Sequence, residues 1–227
     1  MRSNVVVAVG SLLLISNTAA AQKDSLSQKT SAPRPAAAWL VPVGIVAAST
    51  LDAEFREWSQ GGHTRFLDQL ANSINPLGTA HVLVPAIAVT YVGALLTGHE
   101  SLASGTLKTA AAYAASDLVE SALKPMIGRQ RPHVEGNSHH FHPFTANGDW
   151  HSFPSAHVAH ITALAEAISL QAHSAPISTL CGSLVALVAW DRIYEDQHWT
   201  SDVTATMALS SVVSAATIRW LESHWHH

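Results

Sequence analysis

Three short polar segments of the sequence contain residue types that could bind and attack a phosphate group. The first, residues 124–132, reads KPMIGRQRP and contains Lys124, Arg129 and Arg131, in a chain with 12 Lys and Arg residues. An arginine guanidinium can bind two phosphate oxygens at once, and a lysine adds a point charge. The segment therefore predicts a phosphate pocket, although a positively charged loop on the cytoplasmic side of a membrane would have a similar composition.

The second segment, FPSAH at residues 153–157, precedes an apolar run that should form a helix. Ser155 suits the N-cap position, and the backbone N–H groups at a helix start point towards an anion with the helix dipole behind them. His157 would then lie beside the bound anion. By itself, a histidine in the first turn of a helix is more often a surface or capping residue, so this segment indicates a phosphate site only together with the others.

The third segment, residues 191–202, reads DRIYEDQHWTSD. His198 and Asp202 are four positions apart, so on a helix they would share a face, where Asp202 accepts the imidazole N–H. That contact would leave the other ring nitrogen unprotonated and nucleophilic. Arg192 would add a further phosphate ligand. An ordinary helical His–Asp pair has the same spacing, so the segment alone does not distinguish the two interpretations.

Taken together, the three segments resemble the signature motifs of the type 2 phosphatidic acid phosphatase superfamily, which also contains bacterial class A acid phosphatases, glucose-6-phosphatase and vanadium haloperoxidases. The resemblance covers residues 107–214 and rests on Lys124, Arg131, Ser155, His157, Arg192, His198 and Asp202. Ala156 stands where the family usually has glycine, and Asp191 where it usually has serine. A carboxylate beside Arg192 could orient the guanidinium or could weaken anion binding by repulsion.

The resemblance implies a metal-independent hydrolase without a cofactor. In it, His198 would be the nucleophile that forms a phosphohistidine, Asp202 would hold its ring, and His157 would protonate the leaving oxygen and later activate water. The implied phosphate-binding residues are Lys124, Arg131, Arg192, Ser155 and Ala156. The segment between the first two motifs also contains His133, His139, His140, His142 and His151, which could bind zinc or copper. Because no cysteine and few carboxylates accompany them, we predict no metal site there.

The elements that must position these segments are apolar, Ala-rich and Leu-rich stretches without strand-like alternation. They cover residues 39–51, 81–96, 107–123, 158–170, 180–190 and 203–221. We predict an all-α protein, a helical bundle of about five or six core helices. Charged residues make up 12% of the chain, and none occurs between Asp68 and Glu100, so we predict that the bundle is membrane-associated. A soluble periplasmic bundle with a core of small residues is the alternative.

The N-terminus has the pattern of a secretory signal. Arg2 is followed by an apolar run at residues 5–15 and by three alanines at 19–21, so we predict a signal peptide over residues 1–21. A flexible lead-in at 22–38 and a single helical phosphatase domain at 39–227 complete the predicted organisation. The predicted location is the bacterial envelope, either the inner membrane with a site that faces the periplasm or the soluble periplasm.

The leading functional hypothesis is hydrolysis of a lipid phosphate or pyrophosphate. The alternatives are a soluble nonspecific acid phosphatase acting on small phosphomonoesters, a vanadium-dependent haloperoxidase, and a helical scaffold whose motif residues are vestigial. The formal net charge of -4 gives no general attraction for nucleic acid, so we predict no nucleic-acid partner.

Overall fold

A computed structural model describes residues 45–46, 48–135 and 137–225 of the chain. The predicted signal peptide at 1–21 and the lead-in at 22–38 lie outside the described residues. Over the described ranges the protein is helical, as predicted, and β-structure amounts to an isolated bridge between Arg129 and Phe141.

The helices follow one another with short connections. They are α1 (Asp52–Gln60), α2 (Arg65–Ile74), a 3-10 helix (Asn75–Gly78), α3 (Ala80–Leu96), α4 (Glu100–Ile127), the single turn α5 (Pro132–Glu135), a second 3-10 helix (Gly148–Trp150), α6 (Ala156–Ala172), α7 (Ala175–Tyr194) and α8 (Thr200–His224). The apolar stretches predicted from residue 81 onwards fall within α3, α4, α6, α7 and α8. Of the stretch predicted at 39–51, residues 39–44 and 47 lie outside the described residues.

Helix α6 lies at the centre of the bundle and packs against α4, α7 and α8, while α3 packs against α4. Its buried alanines Ala159, Ala163 and Ala167 recur every four residues, so the neighbouring helices can approach its backbone closely. On the other side of α6, Val158 and Ile161 pack into an apolar core with residues of α7 and α8. These five helices correspond to the predicted bundle of five or six.

Two short helices, α1 and α2, were not predicted from the sequence. Both are more polar than the core helices, and α2 begins at an N-cap threonine, whose Thr64 Oγ1 accepts a hydrogen bond from Leu67 N at 3.2 Å. They pack against α7, and α1 also contacts α8. They bring two polar residues towards the three motif segments, Asp52 at the start of α1 and Asn75 in the 3-10 helix after α2.

The outer face of α3 is apolar and exposed. Its exposed large side chains are Val82, Val84, Val89, Val92, Leu95 and Leu96. A contiguous apolar surface of this kind is costly in water and is typical of a helix that faces lipid. In the described part of the chain, α7 is long and apolar enough to cross a bilayer by itself, and α2 with its 3-10 helix qualifies together with α3, although the two parts are bent by 52°.

Candidate active site

The three motif segments meet at one end of the bundle, where α4 and α7 end and α6 and α8 begin. The N-termini of α6 and α8 contribute positive dipole ends, and the last turns of α4 and α7 carry Lys124 and Arg192. Gly128 ends α4 in the left-handed region, with a φ of 60°, and a Cβ there would lie 1.9 Å from the His142 carbonyl oxygen. Glycine is therefore required for the turn that leads from Lys124 to Arg129 and Arg131.

His198 lies in the bend before α8 and is 4% exposed. Its Nδ1 lies 2.5 Å from the backbone carbonyl oxygen of Ser152. Because a carbonyl oxygen can only accept, Nδ1 carries the hydrogen and Nε2 of the neutral ring keeps its lone pair. Burial, and next the positive charges of Arg131 and Lys124, hold the pKa of His198 well below its usual value. The ring is therefore a neutral base with one free nitrogen, as a nucleophile requires.

The expected hydrogen bond between Asp202 and His198 is not the one that the structure shows. Asp202 lies in the first turn of α8 and accepts from Arg129 Nη1 at 2.5 Å, from Ser152 Oγ at 2.6 Å and from Trp199 N at 3.0 Å. The helical spacing argument was wrong because α8 begins after His198, so the two residues do not share a helical face. Asp202 contacts the His198 ring only indirectly, through Ser152. The hydroxyl of Ser152 donates to Asp202, and the carbonyl oxygen of Ser152 accepts from His198 Nδ1.

Arg129 is the basic residue of the first motif that serves the framework. The residue is 7% exposed. Its guanidinium donates to Asp202, to Asp52 Oδ2 at 2.7 Å, to Ser201 Oγ at 2.8 Å and to the Ser138 carbonyl at 2.9 Å. Four of its five N–H groups are thus directed at acceptors within the protein. Asp52 also accepts from the Ser201 amide at 2.9 Å, which fixes the start of α8 to the start of α1.

Lys124 and Arg131 are both placed where their charge reaches His198. The Lys124 ammonium is bonded to Glu120, one turn back on α4. Burial, and next the charge of Arg131, lower the pKa of Lys124 to about 8. Arg131 Nε donates to the Gly148 carbonyl at 3.0 Å, and its Nη1 donates to Gln197 Oε1 at 2.6 Å. Gln197 directly precedes His198, so this contact joins the first and third motifs.

The Asp191 carboxylate orients Arg192. Its Oδ2 accepts from Arg192 Nε at 2.8 Å and from Nη2 at 2.5 Å, and both side chains are buried. The other oxygen, Oδ1, is buried and has no hydrogen-bond partner among the described residues. Of the two effects that the sequence left open, the structure supports orientation of the guanidinium, because both Nε and Nη2 donate to the same carboxylate oxygen.

Ser155 is the N-cap of α6, as predicted, but its groups are used differently from the expectation. Its backbone N–H donates to Thr206 Oγ1 at 3.0 Å, so this amide already has a partner. Its hydroxyl makes no capping bond and is buried without a hydrogen-bond partner in the part of the chain that the structure describes. The hydroxyl of Ser155 and the first amides of α6, beginning with Ala156, are therefore the donors that this segment offers to an anion.

His157 lies in the first turn of α6, where its Nε2 lies 3.0 Å from Asn75 Oδ1. Burial, and next the charge of Arg192, lower the pKa of His157 to about 4, with smaller contributions from His160 and Lys124. Its ring is therefore neutral in the unliganded protein at neutral pH.

The His-rich segment between the first two motifs is described except for residue 136. Within the described residues, no group of three or more His, Cys, Asp or Glu side chains is arranged to hold a metal ion. Several rings have partners nearby: His133 Nδ1 lies 3.1 Å from the Asp196 carbonyl, His140 Nδ1 lies 3.1 Å from Gln130 Oε1, and His151 Nε2 lies 2.9 Å from the Thr145 carbonyl. These contacts connect the segment to the loop after α7, to the first motif and to the segment itself.

Comparison with known proteins agrees with the motif resemblance. The sequence model of the PAP2 superfamily matches residues 105–225, which include all three motifs. The fold is similar to a transmembrane PAP2-type phosphatidylglycerolphosphate phosphatase from Bacillus subtilis, with a TM-score of 0.65 and 17% identity over 82% of this chain and 96% of that one. It is also similar to LpxE from Aquifex aeolicus, with a TM-score of 0.60 and 18% identity over 74% of this chain and 95% of that one.

A search of curated proteins by sequence found no match. The two solved structures share the fold at low identity, whereas the family match covers more than half of the chain and contains the residues that surround His198. The protein therefore belongs to the PAP2 superfamily and is a phosphatase of that family, and its described residues have an all-helical fold.

Proposed function

We propose that the protein hydrolyses a lipid phosphate or lipid pyrophosphate through a phosphohistidine on His198, without a metal ion, at a site on the periplasmic side of the membrane. The observation that carries the proposal is the contact between His198 Nδ1 and the Ser152 carbonyl. It leaves the lone pair of the neutral ring on Nε2, and the positive charges of three basic side chains act on the same ring, those of Lys124, Arg131 and Arg192.

In the first step, His198 Nε2 attacks phosphorus and the bond from phosphorus to the leaving oxygen breaks. His157 transfers a proton to that oxygen. In the second step, His157 takes a proton from water, the resulting hydroxide attacks phosphorus, and the P–N bond breaks to release phosphate and free His198. The negative charge on the equatorial oxygens is balanced by the fixed cations and by the donors at the start of α6.

The protonation states require the proton to arrive with the substrate. His157 has a pKa of about 4, so at neutral pH it is neutral in the free protein. A phosphate monoanion that enters the cationic pocket can pass its proton to His157, which gives an imidazolium beside a bound dianion. The imidazolium then donates to the leaving oxygen.

Two surface features support a lipid substrate. Helix α3 presents exposed apolar side chains, and an open groove of about 590 Å³ lies between α3 and α4. The groove is lined mainly by apolar residues, among them Val84, Ile87 and Leu118. Asp117 in the groove wall is bonded to His160, one turn from His157, so the groove reaches the edge of the catalytic end.

The proposal is tested by phosphate release from the purified protein in detergent with EDTA present. A lipid phosphate, a polyprenyl pyrophosphate and a small phosphomonoester should be compared at equal concentration, and we expect the lipid substrates to have the higher kcat/KM. With labelled substrate and an alkaline quench, which preserves phosphohistidine, label should be retained by the wild type and lost in His198→Ala. Equal turnover in His198→Ala, or full loss of activity in EDTA with recovery on adding zinc, would contradict the proposal.

A second candidate is a periplasmic phosphatase that acts on small phosphomonoesters. It is favoured by α4, which carries Lys108, Asp117 and Glu120 along its length and does not qualify as a membrane span. If the protein is recovered without detergent and prefers the small substrate, this candidate replaces the lipid phosphatase.

A further inference from the structure

A set of contacts outside the three motifs surrounds His157. The 3-10 helix Asn75–Gly78 follows α2 directly, and Asn75 Oδ1 lies 3.0 Å from His157 Nε2. At the other end of the same 3-10 helix, a Cβ at position 78 would lie 2.7 Å from the Cβ of His157. The absence of a side chain at Gly78 therefore allows the 3-10 helix to approach His157 closely. Asn75 is the hydrogen-bond partner of one of the two ring nitrogens of His157.

His160, one turn further along α6, holds the same 3-10 helix in place. Its Nδ1 lies 3.1 Å from the Gly78 carbonyl oxygen, and its Nε2 lies 2.7 Å from Asp117 Oδ1. The ring is 6% exposed and is tilted against Tyr113 of α4. The 3-10 helix is thus fixed to α6 at both ends, so Asn75 is held on His157 by the surrounding packing.

We propose that Asn75 is a positioning residue that fixes the tautomer of His157, so that Nδ1 is the atom that exchanges a proton with the substrate. The inference rests on the proposed function in the assignment of His157 as the general acid. An amide oxygen has lone pairs but no hydrogen, so the ring nitrogen that faces it carries the hydrogen. The neutral ring then has its lone pair on Nδ1, and a second proton binds and leaves there.

The electrostatic surroundings explain why a neutral partner suits this position. The groups that act on His157 are basic: Arg192 from α7, His160 from its own helix, Lys124 from α4 and Arg131 from the following loop. An amide orients the ring and leaves this cationic field intact, so an incoming phosphate supplies the negative charge that stabilises the imidazolium. An aspartate at position 75 would supply that charge permanently and would keep the ring protonated to higher pH.

Asn75→Asp tests the inference, with Asn72→Asp as the matched control for the added charge, because Asn72 is exposed on α2. The ring of His157 is observed by NMR with ¹⁵N-labelled histidine and is assigned with His157→Gln. In the wild type we expect the neutral ring to carry its hydrogen on Nε2. Asn75→Asp should raise the pKa of His157 by about 1 to 3 pH units, and Asn72→Asp should leave it unchanged.

A neutral wild-type ring with its hydrogen on Nδ1, or an unchanged pKa in Asn75→Asp, would overturn the inference. The kinetic counterpart is Asn75→Leu, which should lower kcat while KM stays within about two-fold, because the residue does not touch the substrate. If the NMR results are as expected but no phosphate ester is hydrolysed, the tautomer assignment stands and the proposed function fails. The two failures are therefore distinguishable.

Discussion

Arg129 Nη1 lies 2.5 Å from Asp202 Oδ1, and this contact joins the loop after α4 to the first turn of α8. The same guanidinium donates to Asp52 at the start of α1. One buried cation therefore holds three segments that are distant in sequence. Because Lys124 and Arg131 flank Arg129 in the first motif, their positions relative to α8 depend on this contact.

Asp202→Asn should lower both stability and activity. Asparagine removes the charge that balances Arg129. Its Nδ2 would face either Arg129, in the place of Oδ1, or both Ser152 and Trp199, in the place of Oδ2, and all three are donors to Asp202 in the native protein. Breaking a buried ion pair by changing one partner costs about 3–5 kcal/mol. Chemical denaturation and phosphate release should be measured on the same preparation.

Asp196→Asn is the control for Asp202→Asn, because Asp196 pairs with Arg56 at a more exposed place, with side-chain exposures of 15% and 32%. Its cost should be below about 1 kcal/mol. An Asp202→Asn protein with native stability and low turnover would show that Asp202 acts on His198 directly and that its framework role is minor.

Ser152→Ala should retain the phosphohistidine. The group that holds His198 is the backbone carbonyl of Ser152, which the substitution preserves, whereas the lost hydroxyl bonds Asp202 at 2.6 Å. We expect a loss of stability of about 1–2 kcal/mol and a modest decrease in kcat. The measurement is retention of label from labelled substrate after an alkaline quench. Loss of the label in Ser152→Ala, with the fold intact, would show that the hydroxyl itself is needed for catalysis.

The sequence was sufficient to predict the helical bundle, because apolar helices leave a local signal, and the motif spacing is the signal behind the proposed site residues. Apolar stretches without alternation marked α3, α4, α6, α7 and α8, and the motif spacing marked Lys124, His157 and His198. Helices α1 and α2 were missed because they are short and more polar than the core helices. The sequence did contain a signal for α2, namely the N-cap residue Thr64 followed by apolar residues at helical spacing.

The contacts that orient the site could not be predicted from the sequence. Ser152 acts through its carbonyl, which every residue has, so its identity carries no information about the contact with His198. Asp52 and Asn75 each lie more than 70 residues before the residue that they contact, Arg129 and His157 respectively. Only the folded bundle brings them to the site. The predicted contact between Asp202 and His198 was wrong because it assumed that both residues lie on one helix, whereas α8 begins at Thr200.

The pH at which kcat/KM falls should be set by the second pKa of the substrate phosphate. His157 has a pKa of about 4, so between about pH 5 and 7 it is neutral in the free protein, and the proton for the leaving oxygen enters with the phosphate monoanion. Above the second pKa of a phosphate ester, about 6, the monoanion disappears and kcat/KM should fall. Two esters with different second pKa values should give inflections that differ by the same amount. An inflection common to both esters would assign the proton to a group of the protein.

Lys124→Arg should remove a separate decline on the alkaline side. The pKa of Lys124 is about 8, so its charge is present below that pH and is lost above it, which weakens phosphate binding. Arginine stays charged over this range, so in Lys124→Arg the decline near pH 8 should disappear, although activity at the optimum should decrease because the planar guanidinium does not reproduce the ammonium contact with Glu120. Lys108→Arg, on the same helix and paired with Glu222 at 3.5 Å, is the control and should leave the profile unchanged. A decline near pH 8 that persists in Lys124→Arg would exclude Lys124 as the group that titrates there.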